Sequence, residues 1–306
     1  MLSWTGPHCA IIDYIAGESG QKSLISRLLV SGTGVIMTGN DATFVGSIPA
    51  LYEQYLGPLL FQPYAEDISA RVAELKPGKV LETAAGTGIV TRALAQSLPQ
   101  TVEIVATDLN QAMLDHAATL LQAPNVRWKQ ADAQALPFED ASFDAVVCQF
   151  GVMFFPDKQQ GYREAHRVLK PGGRFVFNVW DRLEDNEFSH CVSQAVAALF
   201  PDNPPRFLER TPYGYFDTDV ITAELQRVGF GRVEIEAVEK VSRAASAREP
   251  AIGFCQGTPL RSEIETRDAS RLSEVTDTAA EAVAARFGPS AVQGRMLAYV
   301  VTGHHL

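Results

Sequence analysis

The sequence predicts an α/β fold: a doubly wound, mostly parallel sheet of seven strands with helices on both faces. Three observations carry this expectation. Short apolar runs alternate with helical spacings from Lys79 to Trp180. The connections between them are short, and such alternation implies a parallel sheet covered on both sides. The runs Ala145-Val146-Val147 and Phe175-Val176-Phe177 are continuous rather than alternating, as strands buried on both faces are.

Taken in order, 47–59 and 64–74 place apolar residues three and four apart and read as helices. Pro77-Gly78 interrupts the chain, and Lys79 to Thr83 reads as the first strand. Gly86 to Leu98 is a Gly-rich turn running into a helix. Val102 to Thr107 is a strand, Gln111 to Leu121 a helix, Val126 to Gln130 a third strand and Phe143 to Phe150 a fourth. Lys158 to Leu169 is a helix stopped by Lys170-Pro171-Gly172-Gly173, before a strand from Arg174 to Trp180. Beyond it the pattern loosens. Glu187 to Phe200 reads as a helix, Pro201 to Tyr215 as a Pro-rich loop and Thr218 to Val228 as a helix. Val233 to Val241 alternates as a strand, Glu263 to Phe287 is helical, and Leu297 to Thr302 is a last strand. His304 and His305 read as a solvated tail. Residues 1–36 read as a flexible extension ahead of a domain spanning 37–306.

The formal net charge of the 306 residues is -10 and no basic run occurs. Proteins that neutralise phosphates need a basic footprint, so nucleic acid and anionic membrane are disfavoured as partners. No apolar run approaches the roughly 18 residues of a membrane span. Cys9, Cys148, Cys191 and Cys255 stand far apart with no CxxC pair, which points to no metal site and no disulfide framework. A reducing cytoplasm is the expected setting.

The chemical signal is Val80-Leu81-Glu82-Thr83-Ala84-Ala85-Gly86-Thr87-Gly88, a strand running into a Gly-rich turn. Glycine lets a backbone turn sharply and approach a ligand with no Cβ in the way. Ligands of open α/β sheets lie at the carboxyl ends of the strands. A dinucleotide fingerprint GxGxxG would place its third glycine at Thr91. Asp108 ends the second strand 26 residues after Glu82 and can accept from both hydroxyls of a ribose. Asp132 follows 24 residues later, in Ala131-Asp132-Ala133-Gln134-Ala135-Leu136-Pro137-Phe138, where a carboxylate can meet the exocyclic amine of adenine. A pyrophosphate pocket has no need of this arrangement. Singly, each residue has a plainer reading: Gly86 and Gly88 as a tight turn, Asp108 as a helix cap, Asp132 as a surface acid.

Together these residues resemble the class I S-adenosylmethionine (SAM)-dependent methyltransferases, in particular the small-molecule, ubiquinone-biosynthesis-like (type 11) group. Further matches are Asp108-Leu109-Asn110-Gln111-Ala112-Met113, Ser142-Phe143-Asp144 and Glu164-Ala165-His166-Arg167-Val168-Leu169-Lys170-Pro171-Gly172-Gly173. The resemblance covers roughly residues 78–180. It departs at Ala84, where the family usually has Gly, and a narrowed pocket is expected there. The resemblance implies a Rossmann-like methyltransferase fold with helical cover segments at about 181–216 and 243–295. It implies SAM as cofactor and a small organic molecule as acceptor. Glu82, Ala84, Gly86 and Gly88 would line the methionine part, and Asp108 would hold the ribose. Leu109 and Met113 would pack on the adenine, and Asp132 and Ala133 would read its edge. Gln149 and Phe150 would stand near the sulfonium, with Tyr55 and Phe154 as candidates to face the acceptor.

Methyl transfer from a sulfonium is a direct displacement that mainly needs alignment of the two reactants. No catalytic base is nominated, and no Ser/His/Asp constellation is found. Strand four ends in Gln149-Phe150-Gly151-Val152 rather than the Asn/Asp-Pro-Pro-aromatic of base and amide methylators, and no Pro-Cys dipeptide occurs. Two other functions stay open at this point: a SAM-binding subunit or sensor without transferase activity, and an NAD-dependent oxidoreductase. The acceptor atom and the oligomeric state are not readable from the sequence.

Overall fold

The computed structural model describes residues 48–306. The expectation for residues 1–36 therefore lies outside the described residues, as does Cys9. The described chain opens with a short helix α1 (Ile48–Leu51), a π-helix (Tyr52–Phe61) and α2 (Gln62–Glu74). There follow β1 (Lys79–Glu82), α3 (Ile89–Ser97), β2 (Glu103–Asp108), α4 (Gln111–Leu120) and β3 (Val126–Gln130). Then come β4 (Phe143–Gln149), α5 (Lys158–Val168), β5 (Leu169–Trp180), α6 (Glu187–Ala198), α7 (Phe207–Arg210) and α8 (Thr218–Arg227). The last elements are β6 (Arg232–Ala244), α9 (Arg248–Gln256), α10 (Leu260–Asp268), α11 (Leu272–Phe287) and β7 (Val292–His304).

The seven strands form one sheet in the order β3-β2-β1-β4-β5-β7-β6. β1 to β5 are mutually parallel, and β7 runs antiparallel to both β5 and β6. The order reverses between β1 and β4, so the carboxyl ends of those strands flank the crevice where open α/β sheets take ligands. The continuous apolar runs of β4 and β5 are buried on both faces, as their sequence predicts.

The opposite end of the sheet is pinned by Asp144, whose Oδ2 accepts from the backbone N–H of Gly78 (2.9 Å) and Lys79 (2.8 Å). Its Oδ1 takes Lys170 Nζ at 2.8 Å, so one carboxylate ties the starts of β1 and β5 to β4. These bonds hold its carboxyl below the usual range against the opposing effect of burial. The Glu164/Arg167 pair is structural too. Glu164 Oε2 accepts from Leu136 N (2.7 Å), and Arg167 donates to the carbonyls of Leu136 (2.9 Å) and Phe138 (2.8 Å). This holds the loop carrying Asp132 against α5.

Several expectations differ from the structure, among them the loop expected over 201–215, which holds α7, and the last strand, which begins at Val292. β5 begins at Leu169, because Lys170-Pro171-Gly172-Gly173 forms a bulge inside the strand, with Gly172 at φ +83°, rather than ending it: Gly172 N donates to His305 O at 2.7 Å and His305 N to Gly173 O at 3.1 Å. His304 is not a solvated tail; it ends β7, 9% exposed, with Nε2 3.2 Å from Glu234 Oε2. The single helix expected from Glu263 to Phe287 is two, separated by a 3-10 turn at Ala269–Arg271 where Asp268 accepts from Ser270 N. α9 was not foreseen, since Pro250 and Gly253 inside it are poor helix formers.

Candidate active site

β2 lies between β1 and β3, and all three end at the same edge. Ala106 of β2 pairs with Glu82, and Asp108 pairs with Gln130, which leads into the Ala131-Asp132 loop. Backbone bonds stitch the loops together: Ala85 N to Thr107 O at 2.9 Å and Ala131 N to Asp108 O at 3.0 Å. The acids predicted from the sequence are thus delivered by three successive strand ends to one edge. Asp108 is not the cap of α4; Asn110 holds that position. Instead Asp108 Oδ2 accepts from Gly86 N (2.9 Å) and Oδ1 from Asn110 N (2.8 Å). Burial pushes its carboxyl up, and the N–H groups of Asn110, Gly86 and Leu109 oppose that shift.

The Gly-rich turn uses its small residues differently. Gly86 has φ +56°, and a Cβ there would meet nothing within 4 Å, so its backbone faces open space. Gly88 has φ +79°, and a Cβ would fall 2.7 Å from the Trp128 ring. Gly88 therefore serves the packing of the turn on β3 and is not part of the cleft wall. Ala84 is left-handed at φ +53°, a conformation L residues adopt at some cost. Its side chain is accommodated because Gly151 faces it: a Cβ on Gly151 would lie 2.6 Å from Ala84 Cβ and 2.7 Å from Cys148 Sγ. Gly151→Ala is accordingly expected to destabilise by about 1–3 kcal/mol through overpacking. Ala84→Gly should recover part of that loss, because Cys148 remains in the way. Urea unfolding of the two single variants and the double variant checks this; independent, additive effects would contradict it.

Above the turn lies a cleft of about 300 Å³ lined by Glu82, Ala84, Gly86, Thr87 and Gln149 among others. Glu82 is 1% exposed and its Oε2 accepts from Thr91 Oγ1 at 2.6 Å. Burial pushes its carboxyl up to about 8, Asp108 adds to the shift, and Thr91 and Arg92 oppose it. Two wall atoms are buried with no partner among the described residues: Gln149 Oε1 and Thr87 Oγ1. An uncompensated buried polar atom is costly, so both are poised to bond a ligand. Beside the cleft, Arg92 donates to Thr87 O (2.8 Å) and pairs with Glu53 of the π-helix.

A second cavity of about 480 Å³ adjoins the first and shares Tyr52 and Phe61 with it. Phe150 and Trp180 line it, stacked at 3.8 Å with 4° between planes, together with Phe154. Phe207, Leu208, Pro212 and Tyr213 enter from the first cover segment, Phe254 and Thr258 from the second. Among the described residues no charged side chain lines this cavity. The phenols of Tyr52 and Tyr213 are pushed up by burial and stay protonated.

Of the residues named from the sequence, the cleft gathers Glu82, Ala84, Gly86 and Gln149, and the second cavity takes Phe150 and Phe154. Asp108 abuts the cleft through Gly86. Leu109 follows it, 55% exposed, while Met113 on α4 is 3% exposed. Asp132 accepts from Gln134 N at 2.8 Å, which folds its loop back on itself, and Ala133 packs against the core. Tyr55 lines neither cavity and packs beside Gly253 of α9. Tyr52 stands in its place. Tyr52, Leu56 and Leu60, spaced four apart along the π-helix that contains Gly57 and Pro58, face the same cavity.

Comparison with known proteins fits this geometry. A family model described as a methyltransferase domain matches residues 81–177. The chain is 31% identical over 168 residues to the ubiquinone/menaquinone biosynthesis C-methyltransferase of Escherichia coli, covering 51% of this chain and 67% of that one. It is 47% identical over 102 residues to the demethylmenaquinone methyltransferase of Deinococcus radiodurans, covering 33% of this chain and 42% of that protein's length. Among solved structures, the YcgJ protein from Bacillus subtilis shares the fold, with a TM-score of 0.51, 19% identity and coverage of 79% of this chain and 98% of that one.

Proposed function

Since the chain belongs to the SAM-dependent methyltransferases, we propose that it binds SAM in the cleft and methylates a small, neutral organic acceptor held in the second cavity. The observation that carries the reading is the convergence of Glu82, Asp108 and the Asp132 loop on one edge beside an open Gly86 backbone. The residues fit the cofactor. Gln149 Oε1 is a buried acceptor in want of a donor, and Glu82 is a carboxyl that a cation would ionise. The Asp108 carboxylate lies beside the turn, with Oδ2 on Gly86 N and Oδ1 on Asn110, where it can also meet a ribose hydroxyl. When bound, SAM supplies a methyl group already activated by its positive sulfur.

The protein's own part is alignment and exclusion of water. The aromatic walls of the second cavity hold an apolar acceptor by area, and the only ionisable groups among them are phenols kept protonated. No wall residue there is suited to take a proton, which favours acceptors whose nucleophilic atom is electron-rich without an enzyme base.

The test is in two steps. SAM and S-adenosylhomocysteine at a hundredfold excess over Kd should stabilise the fold by about 2.7 kcal/mol and raise Tm by roughly 5 °C, while NAD should not. Stabilisation by NAD alone would point to a dehydrogenase. Transfer of label from methyl-labelled SAM to a panel of neutral aromatic metabolites then tests turnover; binding without any transfer would favour a sensor or partner subunit.

A further inference from the structure

Tyr52 and Phe61 are the residues common to both cavities. They are the first and last residues of the π-helix, and their rings stack at 4.7 Å with 17° between planes. Phe61 in turn leans on Phe150 at 5.8 Å and on Trp180 at 6.3 Å, both in the wall of the second cavity. The two compartments therefore share a wall of two stacked rings. A methyl group passes between them only when the reacting atoms come within about 3–3.5 Å. A ring standing between two ligands needs about 3.5 Å on each of its faces. Where these rings stand between the two ligands, they must shift before the reacting atoms can meet.

The structure also provides a connection by which the first compartment can act on this wall. Gln149 Nε2 donates to Phe61 O at 3.2 Å, while its Oε1 is the unpartnered acceptor of the cleft. A donor taken by Oε1 fixes the amide that holds the end of the π-helix. The beginning is held by Glu53, which pairs with Arg92, itself bonded to the carbonyl of Thr87 in the glycine turn. Both ends of the segment thus report to the cleft.

Resting on the reading of the cleft as the cofactor site, we propose that the Tyr52–Phe61 pair couples the two compartments: filling the cleft displaces the rings and raises the affinity of the second cavity. Tyr52 and Phe61 are then positioning residues that favour the state with both compartments filled. Coupling of this kind is reciprocal, so the acceptor tightens the cofactor by the same factor.

The experiment measures the Kd of N-phenyl-1-naphthylamine, a neutral apolar dye, with and without saturating S-adenosylhomocysteine. In the wild-type chain the nucleoside should tighten the dye by about fivefold or more. In Tyr52→Ala, whose wall is breached, the two values should agree within about twofold, and Tyr52→Phe, which keeps the ring, should restore the coupling. Phe61→Leu is the second variant, expected to lose the coupling if Tyr52→Ala does not fold. Equal dye affinity with and without the nucleoside in the wild type, absence of dye binding, or undiminished coupling in Tyr52→Ala and Phe61→Leu would each overturn the proposal. Failure of S-adenosylhomocysteine to bind at all would overturn the cofactor reading itself, and is seen separately in the thermal shift.

Discussion

Glu82→Gln is expected to weaken SAM binding by about 10- to 100-fold at pH 8, because a charge-assisted hydrogen bond is worth roughly 1.5–3 kcal/mol. The amide keeps the shape of the side chain and an oxygen for Thr91, so the loss should be electrostatic rather than structural. The pH dependence gives a sharper readout. Burial pushes Glu82 up to about 8, so at neutral pH the ligand-free protein holds it protonated. A cationic ligand requires the carboxylate, and its binding must expel that proton. Affinity should therefore rise with pH towards about 8 and then level off. Titration calorimetry at pH 7 in buffers of different ionisation enthalpy should show release approaching one proton in the wild type. If Glu82→Gln releases the same amount, the proton comes from elsewhere and the assignment fails.

The same shift has a stability consequence of fixed sign. Between about 4.5, where Glu82 titrates when unfolded, and about 8, where it titrates when folded, the native state binds the extra proton. Its contribution is complete below that window and is lost as pH rises through it. Glu82→Gln should flatten this part of the stability profile.

How much of this was legible in the sequence depends on what fixed each feature. The strand ends were legible because their registers follow from apolar runs with few alternatives: β3 was read at its observed bounds, and β1, β2 and β4 to within a residue. The convergence of Glu82 and Asp108 follows from topology once the strands are parallel and adjacent. Gly88 was legible as a required glycine but not in its role, since Trp128 approaches it from a different strand. Ala84 read as a departure from the family pattern. Its compensation at Gly151 lies 67 residues away in sequence and shows only in three dimensions. The choice of Tyr55 over Tyr52 rested on the resemblance, and spacing alone does not show which of the two tyrosines of the π-helix faces a cavity. Of the second cavity, the sequence reading named Phe150, Phe154 and the cover segments but not how they meet. Its walls come from five separate stretches of chain, and nothing in their spacing shows that Phe154, Phe207 and Phe254 share one space.

Asp108→Ala is the second change of large expected effect, about 100-fold or more in affinity for any adenosine ligand. Two losses combine. On the proposed reading the ribose hydroxyls lose their acceptor, and Gly86 N loses the partner that fixes the glycine turn. Asp108→Asn should fare little better despite its shape. Oδ1 and Oδ2 each accept a backbone N–H, from Asn110 and Gly86, and an amide must aim its NH2 at one of these donors. That places donor against donor in a site where Asp108 is 7% exposed and water cannot mediate freely. The role in ribose recognition separates from the role in the turn by comparing ligands. The wild type should prefer 5′-methylthioadenosine over its 2′,3′-dideoxy analogue by about tenfold or more, since a lost hydrogen bond to a charged group costs roughly 1.5–3 kcal/mol. Asp108→Ala should bind the two alike. Were the variant to retain the wild-type preference, the diol would be held by some other group, and Asp108 would be reduced to a clasp for the glycine turn.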